Sequence, residues 1–210
     1  MLPTDFSSPS STILITCPHG IGPYLRKEVT DLGLRVKETT EASVSTTGTL
    51  NDCMVLNLRL STAHRVLFFV EEFLCKTAED LYRRITRLPW ELVLNKSSYL
   101  CVTSLVRNPS ITDTRFPNVK AKDAIVDRLV NRTGARCDSG PERTGTVVHL
   151  HWVGSRCSVY LDTSGESLSR RGYRRLPEGA PLQETLAAAI IRASVWNRSM
   201  NFVNPMCGSG

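Results

Sequence analysis

The order of strand-like and helix-like segments in the first third of the chain most limits its fold. The β-branched run Thr12–Thr16 precedes an amphipathic helical pattern over residues 21–34. Two Thr- and Val-rich strands, a second helix and a further strand follow, at residues 35–44, 45–50, 53–60 and 66–73. This order is typical of the split βαβ, or ferredoxin-like, α+β sandwich. We therefore predict a ferredoxin-like domain over residues 12–75, after a disordered tail over residues 1–11.

The second helix of this domain needs a capping residue at its start. Asn51 and Asp52 directly precede the helical pattern, and both residue types accept hydrogen bonds from the free N–H groups of a first helical turn. One of these two residues is the expected cap.

The next part of the chain has a different order of segments. Helical patterns occur at residues 78–88 and 119–130, on either side of the alternating strand Tyr99–Arg107. Polar loops are expected at residues 108–118 and 132–145. Val147–Trp152 and Cys157–Leu161 predict a hairpin across residues 153–156. Because this order does not repeat the first domain, we predict a second domain over residues 76–168.

Positive charge is concentrated in the middle of the chain. Residues 1–75 hold 6 Lys and Arg against 8 Asp and Glu, a net charge of −2. Residues 76–175 hold 18 against 10, a net charge of +8, and residues 176–210 hold 2 against 2. A basic segment of this kind indicates a polyanionic partner such as nucleic acid. A solvated basic surface without a partner explains the same charge.

The last part of the chain predicts a basic linker over residues 169–180, followed by the start of a third domain over residues 181–210. Pro181 suits the start of a helix, because its missing N–H would have been unpaired there. Apolar residues then follow a helical stripe, and Phe202 with Val203 suggests a short strand before the loop NPMCGSG at 204–210. A glycine-rich loop after a strand is typical of a nucleotide or cofactor site.

Several other kinds of protein are disfavoured. No apolar run approaches the roughly 18 residues of a membrane span, and the start of the chain lacks the pattern of a secretory signal. The seven cysteines are scattered without a CxxC pair, as expected for reduced thiols in a cytosolic protein. His149 and His151 share a strand face but have no carboxylate or cysteine neighbour, so no metal site is predicted.

Five stretches together resemble a known family. They are CPHGIGPYLRKEV at 17–29, VKAKDAIVDRL at 119–129, LDTSGESLSRRGYR at 161–174, APLQETLAAAII at 180–191 and FVNPMCGSG at 202–210. This ordered set is similar to the amino-terminal part of the THUMP-containing RNA methyltransferases. It is most similar to the bacterial 23S rRNA guanine-N2 methyltransferases, once named N6-adenine-specific DNA methylases.

The resemblance implies a ferredoxin-like domain, then a THUMP RNA-binding domain, then the first helix and strand of a Rossmann-like methyltransferase domain. It implies S-adenosyl-L-methionine as cofactor, held by residues at 204–210: Asn204, Pro205, Cys207, Gly208, Ser209 and Gly210. Asn204 stands where the family has Asp, which bears on cofactor affinity. The family tetrapeptide that holds the target amine is absent, so the chain resembles an amino-terminal fragment without catalytic residues, and we expect it to be inactive alone.

RNA contacts are expected at two basic clusters, one at the THUMP helix and one at the linker: Arg115, Lys120, Lys122, Arg170, Arg171, Tyr173, Arg174 and Arg175. Arginine presents a planar fork to phosphates, and Tyr173 is able to stack on a base or sugar. The alternative is that these charges are solvated or paired, Lys120 with Asp123 and the linker arginines with nearby carboxylates.

The leading functional hypothesis is the RNA-binding portion of a methyltransferase that acts on guanine N2 of 23S rRNA in the cytoplasm, with no membrane or DNA partner. The alternatives are a tRNA guanine-N2 methyltransferase, a THUMP-containing thiolation enzyme and a non-catalytic RNA-binding module. DNA adenine methylation shares motif types, but the THUMP resemblance argues against it.

Overall fold

The computed structural model describes residues 10–108, 111, 113, 115–172 and 182–205. These residues form two compact units. The first unit contains residues 13–66 together with the described residues from 166 onward, and the second contains residues 67–165 with the described residues before 13. The proposed tail at 1–11 lies mostly outside the described residues.

The first unit follows the predicted order strand, helix, strand, strand, helix, strand. Its elements are β1 (Ser11–Thr16), α1 (Gly22–Asp31), β2 (Val36–Thr39), β3 (Ser43–Gly48), α2 (Leu50–Arg59) and the first residues of β4 (Arg65–Leu74). β3 lies between β2 and β1, and it pairs antiparallel with β2. The predicted ferredoxin-like, α+β class is confirmed.

Glycine is required at the start of α1. A Cβ atom on Gly22 would clash with the main-chain oxygen of Thr40. This close approach lets the helix begin directly against the turn before β3, and Pro23 in its first turn adds a helix-compatible φ angle.

The predicted cap of α2 is wrong. The helix begins at Leu50, and Thr49 caps it with Asp52 as the reciprocal partner. Thr49 Oγ1 accepts from the Asp52 N–H at 3.3 Å, while Asp52 Oδ2 accepts from the Thr49 N–H at 2.7 Å. This capping box satisfies two main-chain donors at once, which a cap at Asn51 or Asp52 would not do.

The second unit is a mixed sheet with helices. Its elements are the rest of β4, α3 (Ala78–Ile85), a 3-10 turn (Trp90–Leu92), β5 (Tyr99–Arg107), α4 (Phe116–Thr133), β6 (Asp138–Ser139), β7 (Thr146–Val153) and β8 (Arg156–Asp162). The strand order within the unit is β4-β8-β7-β5-β6. β5 is parallel to both neighbours, and the predicted hairpin pairs β7 with β8 in antiparallel register.

Three predicted boundaries in this unit are wrong. α4 begins at Phe116, three residues earlier than predicted, because Pro117 occupies its first turn. α3 ends at Ile85 and is followed by the 3-10 turn, and the two-residue strand β6 lies within the predicted loop 132–145.

The core of the second unit is built around two fully buried tryptophans. Trp152 of β7 donates from Nε1 to the Cys75 carbonyl at 2.9 Å, and Trp90 donates from Nε1 to the Ile85 carbonyl at 2.8 Å. Each indole therefore buries its ring without leaving its N–H unpaired.

The last described element is α5 (Glu184–Ala193), which belongs to the first unit. The apolar stripe predicted this helix, but the predicted bounds are wrong, because the helix begins at Glu184 rather than at Pro181 and ends at Ala193, before Trp196. The strand predicted at Phe202 and Val203 is wrong, since both residues are exposed and outside any strand.

Candidate RNA-binding surface and cofactor segment

Two of the three basic residues predicted on the THUMP helix lie at one groove. Arg115 directly precedes α4, and Lys122 lies at the end of its second turn. Both line an open groove of about 280 Å³, together with Asn118, Gly140 and Pro141. The N–H groups of a helix start and two cations suit a phosphate group. We call these residues the α4 groove.

The charges of the α4 groove have acidic neighbours. Arg115 Nε lies 3.3 Å from Asp113 Oδ1, and Lys122 Nζ lies 2.9 Å from Asp123 Oδ1. Such exposed pairs contribute only about 0–1 kcal/mol, so a phosphate is able to compete for these cations.

Lys120 does not line the α4 groove. Its Nζ lies 3.6 Å from Glu79 Oε2 and 5.1 Å from the ring centroid of Tyr82. The pairing with Asp123 considered from the sequence belongs to Lys122 instead. Lys120 therefore packs on α3, and its geometry favours a structural role.

The basic cluster at the linker is described only in part. Tyr173, Arg174 and Arg175 lie outside the described residues. Arg170 is exposed, and its side chain has no partner among the residues that the structure describes.

Arg171 is held against the end of α2. Its Nη1 donates to the Asn57 carbonyl at 2.9 Å, its Nη2 donates to the Leu60 carbonyl, and its main-chain N–H donates to Glu184 at 3.3 Å. Carbonyls at a helix end lack intrahelical partners, and a guanidinium satisfies them well. Two guanidinium N–H groups are thus engaged in the fold, which leaves fewer for phosphate.

We expect Arg171→Ala to lower the free energy of unfolding by about 1 kcal/mol, because two carbonyls lose a charged donor. Thermal denaturation followed by circular dichroism measures the change. Arg170→Ala is the matched control and should leave the melting temperature unchanged. Equal stability of both variants would show that Arg171 does not cap α2.

A buried carboxylate in the first unit was missed from the sequence. Glu28 of α1 is only 4% exposed. It accepts hydrogen bonds from the main-chain N–H groups of Ser61 and Thr62, both at 3.0 Å, and from both hydroxyls. Arg192 of α5 completes the cluster with Nη2 at 2.7 Å. The sequence did indicate this burial, because Glu28 lies on the same helical face as the apolar residues Leu25 and Val29.

The cysteines of the described residues carry no sign of nucleophilic chemistry. All six are buried and free of disulfides. Burial raises the pKa of Cys17 to about 11 and that of Cys75 to about 12. Burial also raises the pKa of Cys157. These thiols stay protonated near neutral pH, so they fill the core.

The two histidines of β7 have separate surroundings. His149 Nδ1 lies 3.0 Å from Thr103 Oγ1, and burial lowers the pKa of His151. The described residues contain no group of three His, Cys, Asp or Glu side chains that could hold a metal ion. Nor does any described helix combine the length and apolar character needed to cross a membrane.

The predicted cofactor segment is described only at its start. Asn204 and Pro205 are exposed, and Cys207, Gly208, Ser209 and Gly210 lie outside the described residues. Two exposed residues do not form a cofactor cradle by themselves.

Three domain profiles match the chain in sequence order. They are the RlmL ferredoxin-like domain at residues 12–67, the THUMP domain at 75–162 and the RMKL-like methyltransferase domain at 171–210. The β5-to-β8 sheet and α4 thus lie within the THUMP match, whereas Arg171 and Arg192 lie within the methyltransferase match.

Known proteins share both sequence and fold with this chain. The "Ribosomal RNA large subunit methyltransferase K/L" of Syntrophotalea carbinolica is 36% identical over 199 residues, which cover 93% of this chain and 28% of that protein. A predicted N6-adenine-specific DNA methylase of Listeria monocytogenes has a TM-score of 0.82 at 28% identity, covering 96% of this chain and 53% of that one. SMU.472, solved with SAH, has a TM-score of 0.82 at 29% identity, covering 97% and 54%.

The chain therefore spans about a quarter to a half of the length of these relatives. The chain thus carries matches to the RlmL ferredoxin-like, THUMP and RMKL-like methyltransferase domains in this order, and it is similar over nearly its whole length to ribosomal RNA large subunit methyltransferases K/L.

Proposed function

We propose that this chain is the RNA-docking portion of an S-adenosylmethionine-dependent methyltransferase that modifies guanine N2 in 23S rRNA. The observation that carries the proposal is the ordered set of three domain matches. Relatives named as large-subunit rRNA methyltransferases support the rRNA assignment, and the net charge of +8 on residues 76–175 supports a polyanionic substrate. Such a protein would work in the cytoplasm, where its substrate is.

The chemistry assigned to the whole protein is direct attack of an exocyclic amine on a methyl group that S-adenosylmethionine supplies when bound. This reaction depends on positioning more than on a covalent intermediate. The described residues would contribute by holding the RNA, with Arg115 and Lys122 at phosphates. We expect no methyl transfer by the chain alone, because its 210 residues lack the tetrapeptide that holds the target amine in the family.

Two alternatives remain, one with a different RNA substrate and one without catalysis. A tRNA guanine-N2 methyltransferase would prefer tRNA, and a non-catalytic module would bind RNA without belonging to a methylating protein. Competition binding separates the first alternative from the proposal. A labelled fragment of unmodified 23S rRNA, bound to the chain, should be displaced by 23S rRNA at lower concentration than by tRNA. Preferential displacement by tRNA would support the alternative.

The α4 groove provides the mutational test of RNA docking. We expect Arg115→Ala with Lys122→Ala to weaken RNA binding and to lower the slope of log affinity against log salt by about 0.9 for each phosphate that is no longer bound. Fluorescence anisotropy with a labelled RNA hairpin measures both. Arg132→Ala, at the opposite end of the same helix, is the matched control. Equal effects at both ends of α4 would argue for diffuse attraction and against a docking site at the groove.

A further inference from the structure

A second groove lies within the first unit, between α1 and the segment that follows α5. It has a volume of about 600 Å³. Its lining includes two aromatic, three basic and one amide side chain: Tyr24, Trp196, Lys27, Arg192, Arg198 and Asn197. We call it the α1–α5 groove. No function was predicted there from the sequence.

The charge of the α1–α5 groove is positive. None of the described residues that line it is acidic. Lys27 and Arg198 are exposed and have no ion-pair partner among the described residues. Arg192 is shared with the buried Glu28 carboxylate, 2.7 Å from its Nη2. Two available cations that line the same groove therefore favour an anionic ligand.

The aromatic part of the groove is held in place. Trp196 is half-buried, and its Nε1 donates to the Met200 carbonyl at 3.1 Å. The Phe202 ring packs edge-on against it, with centroids 5.7 Å apart and an interplanar angle of 76°. An indole face that lines the same groove as Lys27 and Arg198 combines base stacking with phosphate contacts, which is how single-stranded nucleic acid is bound without sequence preference.

We propose that the α1–α5 groove binds a single-stranded stretch of RNA, with Trp196 stacked on a base and with Lys27 and Arg198 at phosphates. This inference rests on the proposed function, because it adds a second contact site to the same RNA substrate. The α4 groove and the α1–α5 groove belong to different units of the fold, so each is testable without the other.

Tryptophan fluorescence gives a direct readout of stacking. The chain has three tryptophans, and Trp90 and Trp152 are 0% exposed. A uridine oligomer of about 12 nucleotides should therefore quench Trp196 alone. Trp196→Phe should abolish the quenching while keeping binding, measured by anisotropy of the labelled oligomer, within about twofold, because phenylalanine retains a stacking face. Trp196→Ala should weaken binding by about tenfold.

The cations are tested with the same oligomer. Lys27→Ala with Arg198→Ala should lower the salt slope by about 0.7 for each phosphate that these side chains no longer hold. Arg26→Ala, the exposed neighbour on α1 that does not line the groove, should leave slope and affinity unchanged. Melting temperatures within about 2 °C of the parent would show that the variants fold.

The results separate this inference from the proposed function. If the α4 groove variants lose RNA binding while the α1–α5 groove variants bind RNA as the parent does, the inference is overturned and the proposed function stands. Failure of the unmodified chain to bind any RNA would overturn both. Oligomer binding that leaves Trp196 emission unchanged would overturn the stacking assignment. A further outcome is that the chain self-associates in sedimentation, that Trp196→Ala abolishes this association, and that no RNA binds at the groove. This outcome would overturn the inference and would assign the surface to a second copy of the chain.

Discussion

Replacement of Glu28 by alanine should lower the free energy of unfolding of the first unit by about 3 kcal/mol, because each buried donor left without its acceptor costs about 1–3 kcal/mol. The Glu28 carboxylate is the common acceptor for two main-chain N–H groups, two hydroxyls and the Arg192 guanidinium. Its side chain is 3% exposed. Alanine would leave the buried N–H of Thr62 and the half-buried N–H of Ser61 without their acceptor, and would leave Arg192 without its counter-charge.

Urea denaturation followed by far-ultraviolet circular dichroism measures this change. Asp31→Ala is the matched control, because Asp31 is an exposed acidic residue of the same helix, and its loss should change stability by less than about 0.5 kcal/mol. Arg192→Ala should also destabilise the unit, since it leaves the Glu28 charge buried and unpaired. Parent-like stability of Glu28→Ala would show that the cluster is dispensable.

The Glu28 cluster joins two parts of the chain that match different domain profiles. Glu28, Ser61 and Thr62 lie in the ferredoxin-like match, and Arg192 lies in the methyltransferase match. Arg171 adds contacts to the Asn57 and Leu60 carbonyls. The start of the methyltransferase segment is therefore packed onto the ferredoxin-like fold through polar contacts, and all of these residues belong to one compact unit.

The sequence predicted the order of elements well because that order depends on local periodicity. It predicted helix starts less well. Thr49 and Asp52 carry the spacing of a capping box, and Pro117 marks the first turn of α4, but Thr49 lay in a predicted strand and Pro117 in a predicted loop. The strand expected at Phe202 failed because two apolar residues do not specify pairing with a neighbour.

The sequence predicted one part of the candidate site and missed another. Arg115 and Lys122 come together because both lie near the start of one helix, which sequence spacing predicts. The role of Arg171 depends on Asn57 and Leu60, which are 114 and 111 positions away. Contacts at such separation arise only from the packed fold, so the sequence did not indicate that this guanidinium caps a helix, and its contact with RNA stays a prediction.

Binding of structured RNA by this chain should depend steeply on salt. If about four to six phosphates are contacted, the affinity should fall by about 10²–10³-fold between about 50 and 200 mM salt, because each contact releases condensed counterions. The groove cations at Arg115 and Lys122 are exposed or half-buried, which allows this exchange. Few other changes to the solution should alter binding as much.

The most direct test of RNA docking is therefore a salt titration of the purified chain with one labelled 23S rRNA hairpin and one duplex DNA of equal length, both followed by fluorescence anisotropy. We expect the steep loss of affinity for the hairpin and weaker binding of the DNA at every salt concentration. An affinity for the hairpin that does not change with salt, or equal affinity for the DNA, would contradict RNA docking by this chain.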